Sequence, residues 1–274
     1  MDGSSNRLLK QYHTSPTLLT ATLNHNSNIQ GETEPFSIID PCLIPSLDGI
    51  DSWKNEKTSF EILGSGMILL KNYIPLMDQV DIVNTCQKWG VGPGGFYEPR
   101  NQSGAKLRLH MMCFGKNWDP ITKYKSRCRS DGSEPLPLPN ELIHLAETAI
   151  KDAQAHSKNL PSMCPDICIV NFYTCTGGLG LHQDCDESFN SLKKGLPVVS
   201  ISVGDTAEFV YGNTRDKVKL QRVLLESGDV LIFGGKSRHV FHGVKKILPG
   251  TSPQPLVNAT GFRPGRLNLT FRKF

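Results

Sequence analysis

From Ile167 onward the chain breaks into short runs of β-prone residues, and this pattern constrains the fold more than any other feature. The runs are Ile167–Tyr173, Leu181–Asp184, Val198–Val203, Ala207–Tyr211, Val218–Leu225, Val230–Phe233, Val244–Ile247 and Arg266–Arg272, separated by turns rich in Gly and Asp. Strands this short and this numerous bury a shared core by pairing antiparallel in a sandwich or a rolled barrel. The absence of a fixed repeat period argues against a solenoid or a propeller.

The chain ahead of this region reads differently. Gly66–Lys71 has the pattern of a strand, and Pro75–Val83 places apolar residues at helical spacing with proline in the first turn. Gly92-Pro93-Gly94-Gly95 closes that unit in a turn. Glu141–Ala155 reads as a second amphipathic helix with Leu142, Leu145, Ala149 and Ile150 on one side. Residues 1–58 are rich in Ser, Thr, Asn and Pro and hold no period, so a disordered or loosely docked leader is expected there. The expected division is a leader at 1–58, an α/β lid with supporting helices at 59–165, and a β core at 166–274.

Composition narrows the class of function. The net charge of +4 permits a phosphate-bearing partner without demanding one. No apolar run reaches the roughly 18 residues of a membrane span, and the polar N-terminus is not followed by a signal-peptide core, so no membrane partner is expected. Eight cysteines scattered through a chain of 274 residues fit reduced thiols in the nucleus or cytoplasm better than disulfides. Cys164 and Cys168 resemble half of a zinc site, but no second pair matches them and Pro165 lies between, so buried thiols are expected.

The chemistry concentrates in the β region. On a strand, His182 and Asp184 lie two apart and face the same way, so both can meet one cation. A third ligand must come from another strand, where His239 and His242 are the candidates. His242 is preferred because Gly243 follows it and a glycine-bearing segment, 233–238, leads up to it. Two histidines and one carboxylate that leave other positions open are the ligand set of non-haem Fe(II) oxygenases. A lone His-x-Asp is more often a surface pair; the reading gains force from the distal histidine and from the basic strand that follows.

That strand alternates Arg266, Asn268, Thr270 and Arg272 with Leu267, Leu269 and Phe271. The plain alternative is a solvated edge strand. Arginine, however, pairs bidentately with carboxylates, so two guanidinium groups on one face suit a dicarboxylate co-substrate. Asn171 and Tyr173 add an amide and a phenol at the same parity on the strand leading to the metal.

Together these motifs resemble the AlkB family of Fe(II)- and 2-oxoglutarate-dependent dioxygenases. The resemblance rests on Asn171-x-Tyr173, His182-x-Asp184, the Gly234–Arg238 segment before His242-Gly243, and Arg266-x-Asn268-x-Thr270-x-Arg272. It covers most of Met111–Phe274. It implies a mainly β fold with flanking helices: a double-stranded β-helix (jelly roll) core preceded by an N-terminal α/β nucleotide-recognition lid. It further implies one Fe(II) per chain on His182, Asp184 and His242, with O2 and 2-oxoglutarate as co-substrates. Asn171, Tyr173, Arg266, Asn268 and Arg272 would hold 2-oxoglutarate, Arg266 at the distal carboxylate and Arg272 nearer the metal. The implied lid includes Trp118 and Tyr124 within Lys116–Arg129, a stretch with five basic residues and one acidic. Aromatics beside basic residues suit a single-stranded or flipped base. Asp186 stands where the family faces the base with a carboxylate, which favours an amine-bearing or cationic methylated base; Glu187 is the weaker candidate. The implied reaction is oxidative N-demethylation of nucleic acid by a monomer, releasing formaldehyde, succinate and CO2. The long polar leader points to plant-like eukaryotic members, for which N6-methyladenine in DNA is the expected substrate, with 1-methyladenine and 3-methylcytosine beside it. Hydroxylation of a protein or small molecule, or nucleic-acid binding without catalysis, are the competing readings.

Overall fold

The structure, a computed structural model, describes residues 58–274. The expected leader, residues 1–58, lies outside the described residues except for Thr58. Described in chain order are β1 (Ser59–Gly64), β2 (Met67–Lys71), α1 (Leu76–Gly90), β3 (His110–Phe114), α2 (Asn140–His156), β4 (Ile167–Tyr173) and β5 (Leu179–His182). There follow α3 (Phe189–Lys193), β6 (Val198–Gly204), β7 (Thr206–Gly212), β8 (Gln221–Leu225), β9 (Val230–Phe233), β10 (Phe241–Leu248), α4 (Gln254–Thr260) and β11 (Arg266–Arg272).

The strands form two antiparallel sheets, one of seven in the order β1-β2-β9-β6-β11-β4-β3 and one of four in the order β5-β10-β7-β8. Their inner faces meet: Met67, Leu69, Leu231 and Phe233 of the large sheet share an apolar cluster with Phe209, Tyr211 and Leu225 of the small one. The outer face of the large sheet packs Ile68, Leu70, Val170, Ile232, Leu267, Leu269 and Phe271 against Val80, Val83 and Cys86 of α1 and Ala146, Ala149 and Ile150 of α2. Apolar residues on one stripe of each helix therefore have a matching apolar sheet face to cover. Removing one of these large side chains, as in Leu269→Ala, costs about 2–5 kcal/mol. The arrangement is the jelly-roll core, with flanking helices, that the resemblance implies.

β4, β9 and β11 coincide with the expected segments, and α1 and α2 lie where the helical spacing places them. Three features differ. First, β11 excludes the edge-strand alternative: it lies between β4 and β6 and is buried along its whole length. Its polar residues, Arg266, Asn268, Thr270 and Arg272, are therefore buried with the rest of the strand. Second, β5 ends at His182, so Asp184 lies beyond the strand. Third, β1, β2 and β3 are hydrogen-bonded into the same sheet as β4, β6, β9 and β11, so a boundary at 165/166 divides one sheet. β3, with the sequence His-Met-Met-Cys-Phe, has little intrinsic strand signal and gains its state by pairing with β4. Val218, expected inside a strand, sits in a short 3-10 turn and is exposed. Cys168 is buried as expected, whereas Cys164 is exposed. Among the described residues no helix is long and apolar enough to cross a membrane.

Candidate active site

β5 and β10 run side by side with His182 directly opposite His242. Gly243 permits this approach: a Cβ there would lie 2.7 Å from the Leu179 carbonyl of β5. The imidazole centroids are 4.4 Å apart. Just past the end of β5 the chain folds Asp184 back between them, placing Oδ1 3.7 Å from His182 Nε2 and Oδ2 3.6 Å from His242 Nε2. Candidate ligand atoms of the three residues lie within 4.8 Å of one another, the spacing of groups gathered around one ion. His182 and Asp184 therefore do come together, but through the irregular segment after β5 and not through strand parity. His239, the alternative ligand, is exposed, and its carbonyl accepts a hydrogen bond from Gln183.

Both rings are fixed for metal binding. His182 Nδ1 donates to the Gly180 carbonyl at 2.8 Å and His242 Nδ1 to the Val240 carbonyl at 3.0 Å, which leaves each Nε2 lone pair free. Burial pushes His242 down to about 4, against the pull of Asp184, so at neutral pH it is an uncharged ligand. Burial opposes ionisation of Asp184, but Arg272, His242, His182 and Arg238 outweigh it and hold the carboxyl well below the usual range. Two imidazoles and one carboxylate fit Fe(II).

A ring of buried charge supports this centre. Arg272 Nη2 donates to Asp184 Oδ2 at 2.7 Å, and its Nη1 donates to the Tyr124 hydroxyl at 3.1 Å. Its Nε lies 3.2 Å from Glu187 Oε1. Arg238, only 2% exposed, donates to the carbonyls of Asp184 and Leu196 and pairs with Glu187 at 2.9 Å. In the sequence Arg238 belongs to the glycine-bearing approach to His242. Its role in clamping the Asp184 loop becomes visible only once residues 184, 187, 196 and 238 are brought together.

Farther in, Arg266 is 1% exposed beneath Tyr173, its guanidinium 5.7 Å from the ring centroid. Nη2 donates to Ser202 Oγ at 3.0 Å, while Nε and Nη1 are buried with no hydrogen-bond acceptor. Asn171 Oδ1 is likewise unpaired. Burial pulls Arg266 down to about 10, still cationic at neutral pH. Burying charged N–H groups without acceptors costs several kcal/mol, so the Arg266 guanidinium suits the carboxylate of a co-substrate bound beside it. Asn268 is more fully engaged: its amide donates to Ser200 Oγ and the Ile201 carbonyl, and its oxygen accepts from Thr270. Asn171, Tyr173, Asn268 and Arg272 line a small cavity that reaches His182, Asp184 and His242.

A family model for the 2OG-Fe(II) oxygenase superfamily matches residues 66–272. The alpha-ketoglutarate-dependent dioxygenase AlkB of Salmonella typhimurium is 41% identical over 236 residues, covering 82% of this chain and 97% of that protein. The chain belongs to the AlkB family. Its cofactor is accordingly Fe(II), with 2-oxoglutarate and O2 as co-substrates. The DNA N(6)-methyladenine demethylase ALKBH1C of Arabidopsis thaliana is 54% identical over 224 residues, covering 78% of this chain and 49% of that relative. This chain therefore spans about half the length of that relative. The solved structure of OsALKBH1 superposes with a TM-score of 0.76 at 51% identity, covering 79% of this chain and 100% of that one. The member is plant-like.

In this AlkB-family chain the iron position opens onto a cleft of about 630 Å³ walled by Trp118, Lys123, Tyr124, Asp186 and the loop 101–103. The three residues expected to meet substrate behave differently from one another. Trp118 is half-buried in the wall and its Nε1 donates to Asp186 Oδ2 at 2.8 Å. Asp186 faces the cleft but is already paired, with Lys123 Nζ 3.1 Å from Oδ1. Tyr124 departs from expectation. It is 4% exposed, edge-on to Phe274, with its hydroxyl on Arg272, so it braces the metal centre and cannot stack freely on a base. Glu187 is buried against two arginines and is unavailable to a base. Of the five basic residues in Lys116–Arg129, Lys123 alone lines the cleft. Arg129 is held by Gly95, Asp131 and the Tyr97 ring.

Proposed function

We propose that the chain oxidatively removes a methyl group from a nitrogen of a nucleic-acid base, with N6-methyladenine in DNA as the first substrate to test. The observation that carries the reading is a single cleft joining the His182–Asp184–His242 cluster to a Trp118 face and the Asp186 carboxylate. The relatives' names support the substrate: one similar protein is a DNA N(6)-methyladenine demethylase and another an alpha-ketoglutarate-dependent dioxygenase.

In this reading His182, Asp184 and His242 hold the iron. Asn171, Tyr173, Arg266, Asn268 and Arg272 surround 2-oxoglutarate, with Arg266 taking the far carboxylate. Bound together, iron, 2-oxoglutarate and O2 supply the oxidising power needed to hydroxylate an N-methyl carbon. The protein's part is orientation. Arg272 and Arg238 fix the Asp184 loop, and the two Nδ1–carbonyl bonds fix the rings. The Tyr173 hydroxyl stays protonated because burial pushes it up to about 12, leaving it a donor toward a carboxylate. Trp118 offers a face on which an unstacked base can lie, and Asp186 an acceptor for an exocyclic N–H. The partner is a single strand or a flipped base, met by one chain acting as a monomer in the nucleus or cytoplasm.

The test is a panel of methylated DNA and RNA oligonucleotides incubated with Fe(II), 2-oxoglutarate and ascorbate, followed by mass spectrometry. Loss of one methyl with matching formaldehyde is expected, falling at least 10³-fold in His182→Ala while oligonucleotide binding stays within a few-fold. Undiminished turnover in His182→Ala would remove the ligand assignment. Turnover of 2-oxoglutarate without demethylation of any oligonucleotide would remove the substrate.

A further inference from the structure

Lys123 is one of two non-glycine residues with positive φ among the described residues, at 61°. Left-handed backbone is unfavourable for a side chain like lysine and persists where the surroundings over-determine it. Here they do. Asp119 and Lys123 exchange both backbone hydrogen bonds, at 2.8 and 3.0 Å. The Asp119 carboxylate caps the turn through the backbone N–H groups of Ile121 and Thr122. The product of this closed turn is a lysine aimed inward: Nζ lies 6.0 Å from the Trp118 ring centroid and 3.1 Å from Asp186 Oδ1. Trp118 Nε1 holds the other oxygen of the same carboxylate.

Resting on the proposed function, we infer that Lys123 is a specificity-determining residue that neutralises Asp186 and so favours a neutral methylated base over a cationic one. The ionised side chains lining the cleft are three cations, Lys123, Arg215 and Arg272, and three anions, Asp184, Asp186 and Glu187. Asp184 and Glu187 are already committed to Arg272 and Arg238. Asp186 is therefore the one carboxylate on the cleft wall from which an arriving cation would gain, and Lys123 occupies it. A neutral base such as N6-methyladenine asks less of Asp186. It needs one acceptor lone pair for its N–H, and a carboxylate has four such sites. A base carrying a formal charge, such as 1-methyladenine or 3-methylcytosine, must displace the ammonium or sit beside it, and like charges at this range repel.

The experiment measures kcat/KM for N6-methyladenine, 1-methyladenine and 3-methylcytosine in one single-stranded sequence context. The full chain is compared with Lys123→Met, Lys123→Arg and Lys123→Gly. Glycine is included because it adopts φ near 61° without strain, so that variant folds even where methionine disturbs the turn. Shape differences among the bases cancel when each base's rate is compared between variants. Lys123→Met and Lys123→Gly are expected to shift the ratio of cationic to neutral base turnover by about tenfold toward the cationic bases, less at high salt. Lys123→Arg should keep the wild-type ratio. A ratio unchanged within about twofold in both neutral variants, with the wild type active, overturns the assignment of Lys123 alone. A wild type that demethylates none of the three bases overturns the proposed function and this inference with it.

Discussion

Arg266 and Arg272 stand at the two ends of one strand and face the same side of it, both nearly inaccessible to solvent, yet their surroundings are opposite. Arg272 is flanked by two carboxylates, Asp184 and Glu187, and also donates to the Tyr124 hydroxyl, although its Nε makes no hydrogen bond. Among the described residues Arg266 has no carboxylate partner: Ser202 accepts one hydrogen bond and two N–H groups are left without an acceptor. A buried cation that the fold itself neutralises belongs to the folded protein; a buried cation with no carboxylate beside it suits an anion that binds there. The same residue type thus serves architecture at one end of β11 and recognition at the other.

Replacement of each arginine by methionine breaks or sharpens this contrast. Arg272→Met leaves Asp184 and Glu187 buried without their shared cation and should lower stability by about 3–5 kcal/mol, read by denaturant unfolding. It should also weaken Fe(II) binding, since the Asp184 oxygen loses its 2.7 Å partner. Arg266→Met removes a cation that lacks acceptors, so apo stability should hold or rise. The loss appears instead as an increase of about 10²-fold in the concentration of 2-oxoglutarate needed for activity, and as disappearance of the thermal shift that 2-oxoglutarate gives the wild type. If both variants destabilise the apo protein equally, the contrast fails.

Smaller effects test its edges. Tyr124→Phe removes one hydrogen bond to Arg272 and should cost about 1 kcal/mol, with base preference unmoved; a changed preference would return Tyr124 to the substrate wall. The smallest effect concerns the thiols. Burial pushes Cys86 up to about 12 and Cys113 up to about 11, and raises Cys168 as well. Iodoacetamide at neutral pH should therefore label the exposed Cys128, Cys164, Cys175 and Cys185 and spare those three until the chain unfolds.

Much of this was readable beforehand. The segments at Ile167–Tyr173, Val230–Phe233 and Arg266–Arg272 are dense in β-branched and apolar residues, and they became strands at those limits. His110–Phe114 was not readable, because methionine and cysteine carry no strand preference and β4 supplies the pairing. His182, Asp184 and His242 were identifiable as a set, but the parity argument assumed a strand two residues longer than β5. Tyr124 was placed on the substrate side because an aromatic among basic residues looks like a stacking platform. Its neighbours Arg272 and Phe274 lie some 150 residues away in sequence, and they decide otherwise.

Sequence alone determined the strand-rich class, the donor atoms available to a metal and the polar-apolar alternation of Arg266–Arg272, since these depend on residue type and near spacing. Tertiary structure decided which arginine has carboxylates beside it and which has none, that β11 is central, and that Lys123 already holds Asp186. Those outcomes turn on distances between groups far apart along the chain. A charge has no fixed meaning until its nearest counter-charge and its exposure to water are known.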